Sequence, residues 1–213
     1  NCLEHLECDT LVLSNENYSW LSESESDSFV KTLRDYTDKV EGIIYLRRQD
    51  KLVISHKQQG AKSIKASVAY GHELRALPSM LSLAAQKYLN FHDKVCCWKN
   101  LLDDFVVRRF EPTLFHEGQL IYDFLHHTKI DQSIDTKSLE LPNNMNESIS
   151  RENQLFLHQT RGHFPEKSKI KHLITPIIAK EIGGSDIKLM PSKAEAKAFY
   201  DQFREGNERL KAL

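Results

Sequence analysis

The chain has 213 residues, of which 40% are hydrophobic and 28% charged, an ordinary balance for one well-buried globular domain. With 29 basic and 30 acidic side chains its formal net charge is −1, so overall charge gives no support for a nucleic-acid or membrane-surface partner. No apolar run reaches the roughly 18 residues of a membrane-spanning helix, so we expect no membrane segment. We therefore expect a single domain over residues 1–213, in which any anion site depends on where individual side chains lie.

The cysteines favour a reducing compartment. None of the four stands at the spacing of a metal-ligand pair: Cys2, Cys8, Cys96 and Cys97. Neighbouring cysteines would also strain a simple disulfide, so we expect free thiols, as in the cytoplasm. Two glycosylation triplets, at residues 17–19 and 146–148, keep a secretory location open.

The first part of the chain predicts strands that alternate with helices. Residues 10–13 form a short apolar run, which predicts a buried strand that ends in a polar loop. Residues 22–28 alternate Ser with acidic residues and predict a solvated loop, followed by a helix. Residues 42–46 are almost continuously apolar and predict a central strand covered on both faces. Helical character resumes at about Asp50.

The rest of the chain continues the alternation. Pro78 is predicted to open a long amphipathic helix that reaches Leu102. A strand follows at residues 105–110, and further helices are expected at 119–127, after Ser150, at 170–182 and at 193–213, with a loop at 141–148. Strands alternating with helices indicate an α/β domain with a mostly parallel sheet flanked by helices.

The segment from Tyr45 to Ser55, Tyr-Leu-Arg-Arg-Gln-Asp-Lys-Leu-Val-Ile-Ser, carries the chemistry. A parallel strand places Arg47 at its carboxyl end, where ligands bind in open α/β sheets, and the free N–H groups of the next helix favour an anion. Arg47 and the Ser55 hydroxyl together suit a phosphate. The alternative is that Arg47 is a surface residue paired with Asp50 and that Ser55 is an ordinary helix residue.

This segment resembles the sulfotransferases that use 3′-phosphoadenosine 5′-phosphosulfate, in which a strand is followed by Arg, seven residues and Ser. Many members have Asn-Pro where this chain has Arg48-Gln49, and Arg-Arg-Gln-Asp is more similar to bacterial sulfotransferase-like proteins. Other similar segments follow in order: residues 13–16, Trp98, 107–111, 123–125 and 146–150. The resemblance implies a P-loop, nucleoside-kinase-like fold in a cytoplasmic bacterial protein, with Arg47 and Ser55 on the 3′-phosphate of the co-substrate.

The resemblance also implies a catalytic base. In sulfotransferases that act on sugars, a Glu in a place comparable to Glu16 takes the proton from the acceptor hydroxyl or amine, and a positioned carboxylate suits that task. The alternative is that Glu16 is an exposed loop carboxylate or caps a nearby helix. No metal is implied, because His126 and His127 are adjacent and neither stands at motif spacing with His116.

One part of the family pattern is missing. No G-x-x-x-x-G-K-[ST] sequence or shorter Gly-rich equivalent occurs, and in the family this phosphate loop would precede residues 10–13. We expect a chain that lacks the first strand–loop–helix and is incomplete at its N-terminus. Two rival hypotheses stay open: a non-catalytic sulfotransferase-like scaffold, and another nucleotide-dependent transferase. The acceptor, which the resemblance makes a small molecule or a glycan, and the oligomeric state are not specified by the sequence.

Overall fold

The computed structural model describes residues 8–62, 70–71, 73–132, 139, 149–161, 177 and 187–213. These form a mixed α/β structure that is mostly helical, with a small parallel sheet of two strands. The chain divides into two compact units. The first comprises Asn1–Arg47, Asn90–Glu140 and Glu205–Leu213, and the second comprises Arg48–Leu89 and Leu141–Arg204.

The sheet of the first unit pairs β1 (Glu41–Leu46) with β2 (Asp104–Arg109). The strands are parallel and in register from Glu41 opposite Asp104 to Leu46 opposite Arg109, which confirms both predicted strands and their parallel direction. The prediction that residues 42–46 form a central strand covered on both faces is wrong, because the described sheet has two strands and those residues are half-buried.

Gly42 leaves space for two side chains, that of Leu102, which follows α4 (Phe91–Leu101), and that of Phe105 in β2. A Cβ atom at Gly42 would lie 2.5 Å from Leu102 Cδ1 and 2.9 Å from Phe105 Cδ2, both closer than real Cβ contacts allow. The absence of a side chain at this position is therefore a packing requirement of the first unit.

A carboxylate fastens the amino end of this sheet. Asp103 accepts two hydrogen bonds of 3.1 Å from the Arg34 guanidinium, and its Oδ2 also accepts one of 2.7 Å from the main-chain N–H of Val40. These bonds lower the pKa of Asp103, the bond from Arg34 being the largest cause. Because Arg34 ends α1 (Glu23–Arg34), the same carboxylate joins that helix to the residue before β1.

The first helix corrects a prediction. Residues 22–28 were expected to be a loop, but α1 begins at Glu23, because Ser22 and Glu25 form a capping box. Ser22 Oγ accepts from the Glu25 N–H at 3.4 Å, and the Glu25 carboxylate accepts from the Ser22 N–H at 2.7 Å. The polar residues at 22–28 therefore form the start of a helix instead of a loop. This helix packs against α4.

Residues 10–13 also differ from the prediction. They have no regular structure, and the side chains of Leu11, Val12 and Leu13 are 47%, 49% and 42% exposed. No described strand pairs with this segment, so its apolar composition does not produce the buried strand that was expected.

The second unit is helical in its described part. It contains α2 (Gln49–Lys62), α3 (Leu83–Leu89), α6 (Arg151–Arg161) and α7 (Lys193–Asp201). Its core consists of buried side chains from α2, α3, α7 and the segment between α2 and α3: Val53, Ile54, Tyr70, Leu77, Leu81, Ala85, Leu89 and Phe199. The start of α2 confirms the expectation that helical character resumes at about Asp50.

Two long helices predicted from the sequence are interrupted. Residues 78–102 hold α3 and α4 as separate helices, because the side chain of Asn90 accepts from the Asp93 N–H and starts α4 anew. Residues 193–213 hold α7 and α8 (Arg204–Lys211), separated by a turn at 202–203.

The short helix α5 (Leu120–His127) is confirmed, and so is the cap at Ser150, whose Oγ accepts from the Asn153 N–H at 3.2 Å. The loop at 141–148 and the helix at 170–182 lie outside the described residues, apart from residue 177. Across the helices that are described, none combines the length and apolar character needed to cross a membrane.

Candidate functional site

Arg47 stands directly after β1, at the carboxyl end of the parallel strand pair. The chain beside it is held by a hydrogen bond of 2.8 Å from the Phe110 N–H to the Leu46 carbonyl, which extends the ladder by one residue. The Arg47 guanidinium carbon lies 5.8 Å from the centre of the Phe110 ring. Phe110 is 36% exposed and Arg47 is half-buried, so one face of the cation rests on an aromatic ring.

Asp50 is bound by Arg48. In the second unit, Arg48 Nε and Nη2 donate to the two oxygens of Asp50 at 2.6 and 2.7 Å, and Asp50 is 2% exposed. The acidic residue that the alternative interpretation pairs with Arg47 is therefore bound by Arg48. Among the described residues of the first unit, none forms an ion pair or hydrogen bond with the guanidinium of Arg47.

A buried carboxylate from α5 closes the same end of the sheet. Asp123 is 0% exposed and accepts four hydrogen bonds. The Tyr45 hydroxyl donates to Oδ2 at 2.8 Å, Arg108 donates to both oxygens at 3.2 and 2.8 Å, and the His116 main-chain N–H donates to Oδ1 at 2.8 Å. The two strands, the segment after β2 and α5 therefore meet at one carboxylate, which we call the Asp123 cluster (Tyr45, Arg108, His116 and Asp123).

The protonation states in this cluster follow from its hydrogen bonds. Burial alone would raise the pKa of Asp123, but the bonds from Arg108, the His116 N–H and Tyr45 outweigh it and lower that pKa to about 2. Burial raises the pKa of Tyr45 far above its ordinary value, and the bond to Asp123 raises it further. Asp123 is therefore an anion and Tyr45 a neutral donor at neutral pH.

Aromatic side chains connect this cluster to Arg47. The Phe115 ring meets Tyr45 edge to face at 6.0 Å between centroids, and it meets Phe110 in the same manner at 5.5 Å. Side chains two apart on a strand share a face, so Tyr45 and the start of the Arg47 side chain point to the same side of the sheet. A series of contacts therefore runs from Arg47 through Phe110 and Phe115 to Tyr45 of the Asp123 cluster.

Two further histidines, His126 and His127, lie next to this cluster. The rings of His116 and His126 stack with 4.2 Å between centroids, and the His127 Nε2 atom lies 3.7 Å from Asp123 Oδ1. Burial and the Arg108 charge lower the pKa of His127 although the Asp123 carboxylate opposes them. No group of three His, Cys, Asp or Glu side chains in the described part of the chain is arranged to hold a metal ion.

The other two predicted site residues are Glu16, in the first unit, and Ser55, in the second unit. Glu16 is exposed and opens the 3₁₀ helix Glu16–Trp20 of the first unit, where Asn15 accepts the Asn17 N–H at 2.9 Å. Ser55 is half-buried in α2 of the second unit, next to the core residue Ile54. Neither side chain bonds to another described residue.

Sequence reasoning missed the Asp123 cluster. The only signal for it was a single acidic residue inside the apolar helical sequence Leu-Ile-Tyr-Asp-Phe-Leu, because a carboxylate buried in such a helix needs a cationic partner. Two segments that carried the family resemblance, residues 107–111 and 123–125, supply that pair, and the bond between Arg108 and Asp123 joins them in space.

The site and fold define an α/β protein in which Arg47 stands at the carboxyl end of a parallel strand pair, without an ion-pair partner among the residues that the structure describes. No family model matches the chain, and no solved structure matches it. The chain is 26% identical over 206 residues to an uncharacterized protein of Archaeoglobus fulgidus. That similarity covers 94% of this chain and 52% of the archaeal protein, so the chain spans about half the length of this relative.

Proposed function

We propose that the protein is a sulfotransferase that transfers a sulfuryl group from 3′-phosphoadenosine 5′-phosphosulfate to a hydroxyl or amine of a small molecule or glycan. The fold is proposed to be of the P-loop, nucleoside-kinase-like type. The single observation that carries the proposal is the state of Arg47, a half-buried guanidinium at a strand end without an acidic partner among the described residues.

The contrast with neighbouring arginines gives this observation its weight. Within the first unit, Arg108 is paired with Asp123 at 2.8 Å and Arg109 with Glu111 at 2.5 Å. Each of these charges is compensated inside the protein. No described residue accepts a hydrogen bond from the Arg47 guanidinium, and a forked guanidinium is the side chain best suited to a phosphate.

The Asp123 cluster supports this role indirectly. It fixes the carboxyl ends of β1 and β2 through the Tyr45 and Arg108 side chains, and it places Phe115 against the ring that contacts Arg47. A site for an anionic ligand requires a cation held in place before the ligand arrives, because ordering it at the moment of binding costs free energy.

The remaining roles follow from the resemblance. Ser55 is proposed as a second donor to the 3′-phosphate and Glu16 as the base that takes the proton from the acceptor. The exposure of Glu16 leaves its carboxylate accessible to an incoming acceptor. During transfer, negative charge develops on the sulfuryl oxygens and on the departing phosphate. Hydrogen-bond donors directed at these oxygens would stabilise that charge, by analogy with phosphoryl transfer.

The proposal is tested by calorimetric titration of adenosine 3′,5′-bisphosphate into the full product of the reading frame that encodes this chain. We expect binding that requires the 3′-phosphate, so adenosine 5′-monophosphate should bind at least tenfold more weakly, a difference of about 1.4 kcal/mol. Arg47→Ala should remove this preference. Arg109→Ala is the matched control, because it removes the same charge one strand away but leaves the proposed donor intact.

Each outcome separates the proposal from its rivals. Binding that needs both the 3′-phosphate and Arg47 supports the sulfotransferase assignment and justifies an acceptor screen. Equal binding of the two nucleotides would favour another nucleotide-dependent transferase. No binding of either nucleotide would favour the non-catalytic scaffold.

A further inference from the structure

The two neighbouring cysteines of α4 lie in different chemical surroundings. Cys96 and Cys97 are both half-buried and both free, so exposure does not distinguish them. Cys96 Sγ lies 3.7 Å from His92 Nε2, one helical turn away. Cys97 is instead associated with Ser26 of α1, and burial together with the charges of Glu23 and Asp27 raises its pKa.

A carboxylate orients the histidine beside Cys96. His92 Nδ1 lies 2.9 Å from Asp93 Oδ1, and the His92 side chain is 19% exposed. The Asp93 carboxylate can only accept at this distance, so it selects the tautomer with the proton on Nδ1. The lone pair of Nε2 then points to the sulfur. A nucleophile, a base and a group that orients the base are the three components of an activated thiol.

We propose that Cys96 is a site of oxidation by small hydroperoxides, with His92 as its base and Asp93 as the positioning residue. His92 Nε2 takes the thiol proton, and the thiolate attacks one oxygen of the peroxide. The S–O bond forms as the O–O bond breaks, so sulfur loses two electrons and the peroxide gains them. The departing oxygen takes the proton back from His92 and leaves as water or an alcohol, and Cys96 becomes a sulfenic acid.

The sulfenic acid is expected to persist long enough to be trapped. Consecutive Cα atoms are about 3.8 Å apart, below the range of about 4.4–6.8 Å that disulfides span, so Cys97 is a poor partner for a disulfide. Cys97 therefore acts as an internal reference that shares the helix and the degree of exposure with Cys96 but lacks the base. Cys8, which is exposed and free, supplies the reference for an accessible thiol.

The test is a short treatment of the intact protein with hydrogen peroxide, followed by dimedone, which labels sulfenic acids. Fragmentation of the tryptic peptide at residues 95–99 assigns the label to one sulfur or the other. We expect Cys96 to carry most of the label, Cys97→Ser to retain it and Cys96→Ser to lose it. His92→Gln should lower labelling of Cys96 about tenfold, because the group that takes the thiol proton is lost.

A second variant controls for the possibility that the first one loosens the helix. Asp93→Asn keeps the base but removes the carboxylate that orients it, so labelling of Cys96 should fall by less than in His92→Gln. A loosened helix would instead increase labelling of Cys97, which the same spectra report. Two results would overturn the proposal. One is that Cys97 or Cys8 of the wild-type protein is labelled as much as Cys96 or more. The other is that labelling of Cys96 is unchanged in His92→Gln. Its outcome is independent of nucleotide binding.

Discussion

Tyr45 and Arg108 face each other in register across β1 and β2, and both donate to Asp123 Oδ2, at 2.8 and 3.2 Å. A neutral phenol and a guanidinium on adjacent strands thus share one buried carboxylate. Because that carboxylate belongs to α5, the alignment of the strands and the position of the helix depend on the same atoms. Four predictions follow from this relationship and from the packing around it.

Asp123→Asn should lower the free energy of unfolding by about 3 kcal/mol, because removal of one partner leaves Arg108 without its buried counter-charge. Denaturant unfolding at neutral pH measures this change. Asp27→Asn is the control, since the 2.7 Å ion pair between Asp27 and Lys31 is exposed and contributes about 0.5 kcal/mol or less. Equal losses in the two variants would show that the Asp123 cluster does not stabilise the fold.

Acid should remove the contribution of Asp123. Its folded-state pKa of about 2 lies below the unfolded value of about 3.9, so this contribution is complete above pH of about 4 and is lost as the pH falls toward 2. The difference in unfolding free energy between the wild type and Asp123→Asn should therefore narrow over this interval. A difference that stays constant down to the folded-state pKa would contradict the assignment of an ionised carboxylate.

Gly42→Ala should lower the free energy of unfolding by about 1–3 kcal/mol, since the new methyl group would overlap Leu102 and Phe105. Gly206→Ala is the matched control. Its Cβ would meet only Asn90 Oδ1 at 3.7 Å, an ordinary contact, and alanine in a helix is favoured over glycine by about 1 kcal/mol. Thermal unfolding of the two variants should shift in opposite directions. A neutral Gly42→Ala variant would mean that β1 can move away from its neighbours.

Phe110→Leu should weaken binding of adenosine 3′,5′-bisphosphate about threefold, because the aromatic face that holds Arg47 is lost. Phe110→Tyr keeps that face and should bind like the wild type. Calorimetric titration at fixed salt measures both. This prediction rests on the proposed function. If the wild type binds the nucleotide and the two variants bind it with equal affinity, the aromatic ring does not position Arg47.

The elements that the sequence predicted well are those with a local signal. The apolar run at residues 42–46 ends at two arginines and the following segment is helical, so β1 and the start of α2 were predictable. The start of α1 was also predictable in principle, because Ser22 and Glu25 form the S-x-x-E pattern of a capping box. The Ser and acidic composition of this segment indicates a solvated loop, whereas the spacing of Ser22 and Glu25 indicates a helix start.

The site was only partly predictable, for a physical reason. Arg47 was identified from its place after a strand, which is a local property. Its contact with Phe110 and the bond between Arg108 and Asp123 depend on the parallel pairing of strands that lie far apart in the chain. The exposed run at residues 10–13 shows the converse: apolar composition does not produce a buried strand without a partner strand beside it.

The sheet carries a carboxylate at each end, Asp103 before β2 and Asp123 above its carboxyl end. Sliding β1 by one residue along β2 would turn Tyr45 toward the opposite face and separate Val40 from Asp103, so both attachments would fail together. An error in the alignment of the two strands would therefore lose the hydrogen bonds to both carboxylates. The two carboxylates therefore select the native register of β1 and β2. Forms of this small sheet with another register are unfavourable during folding.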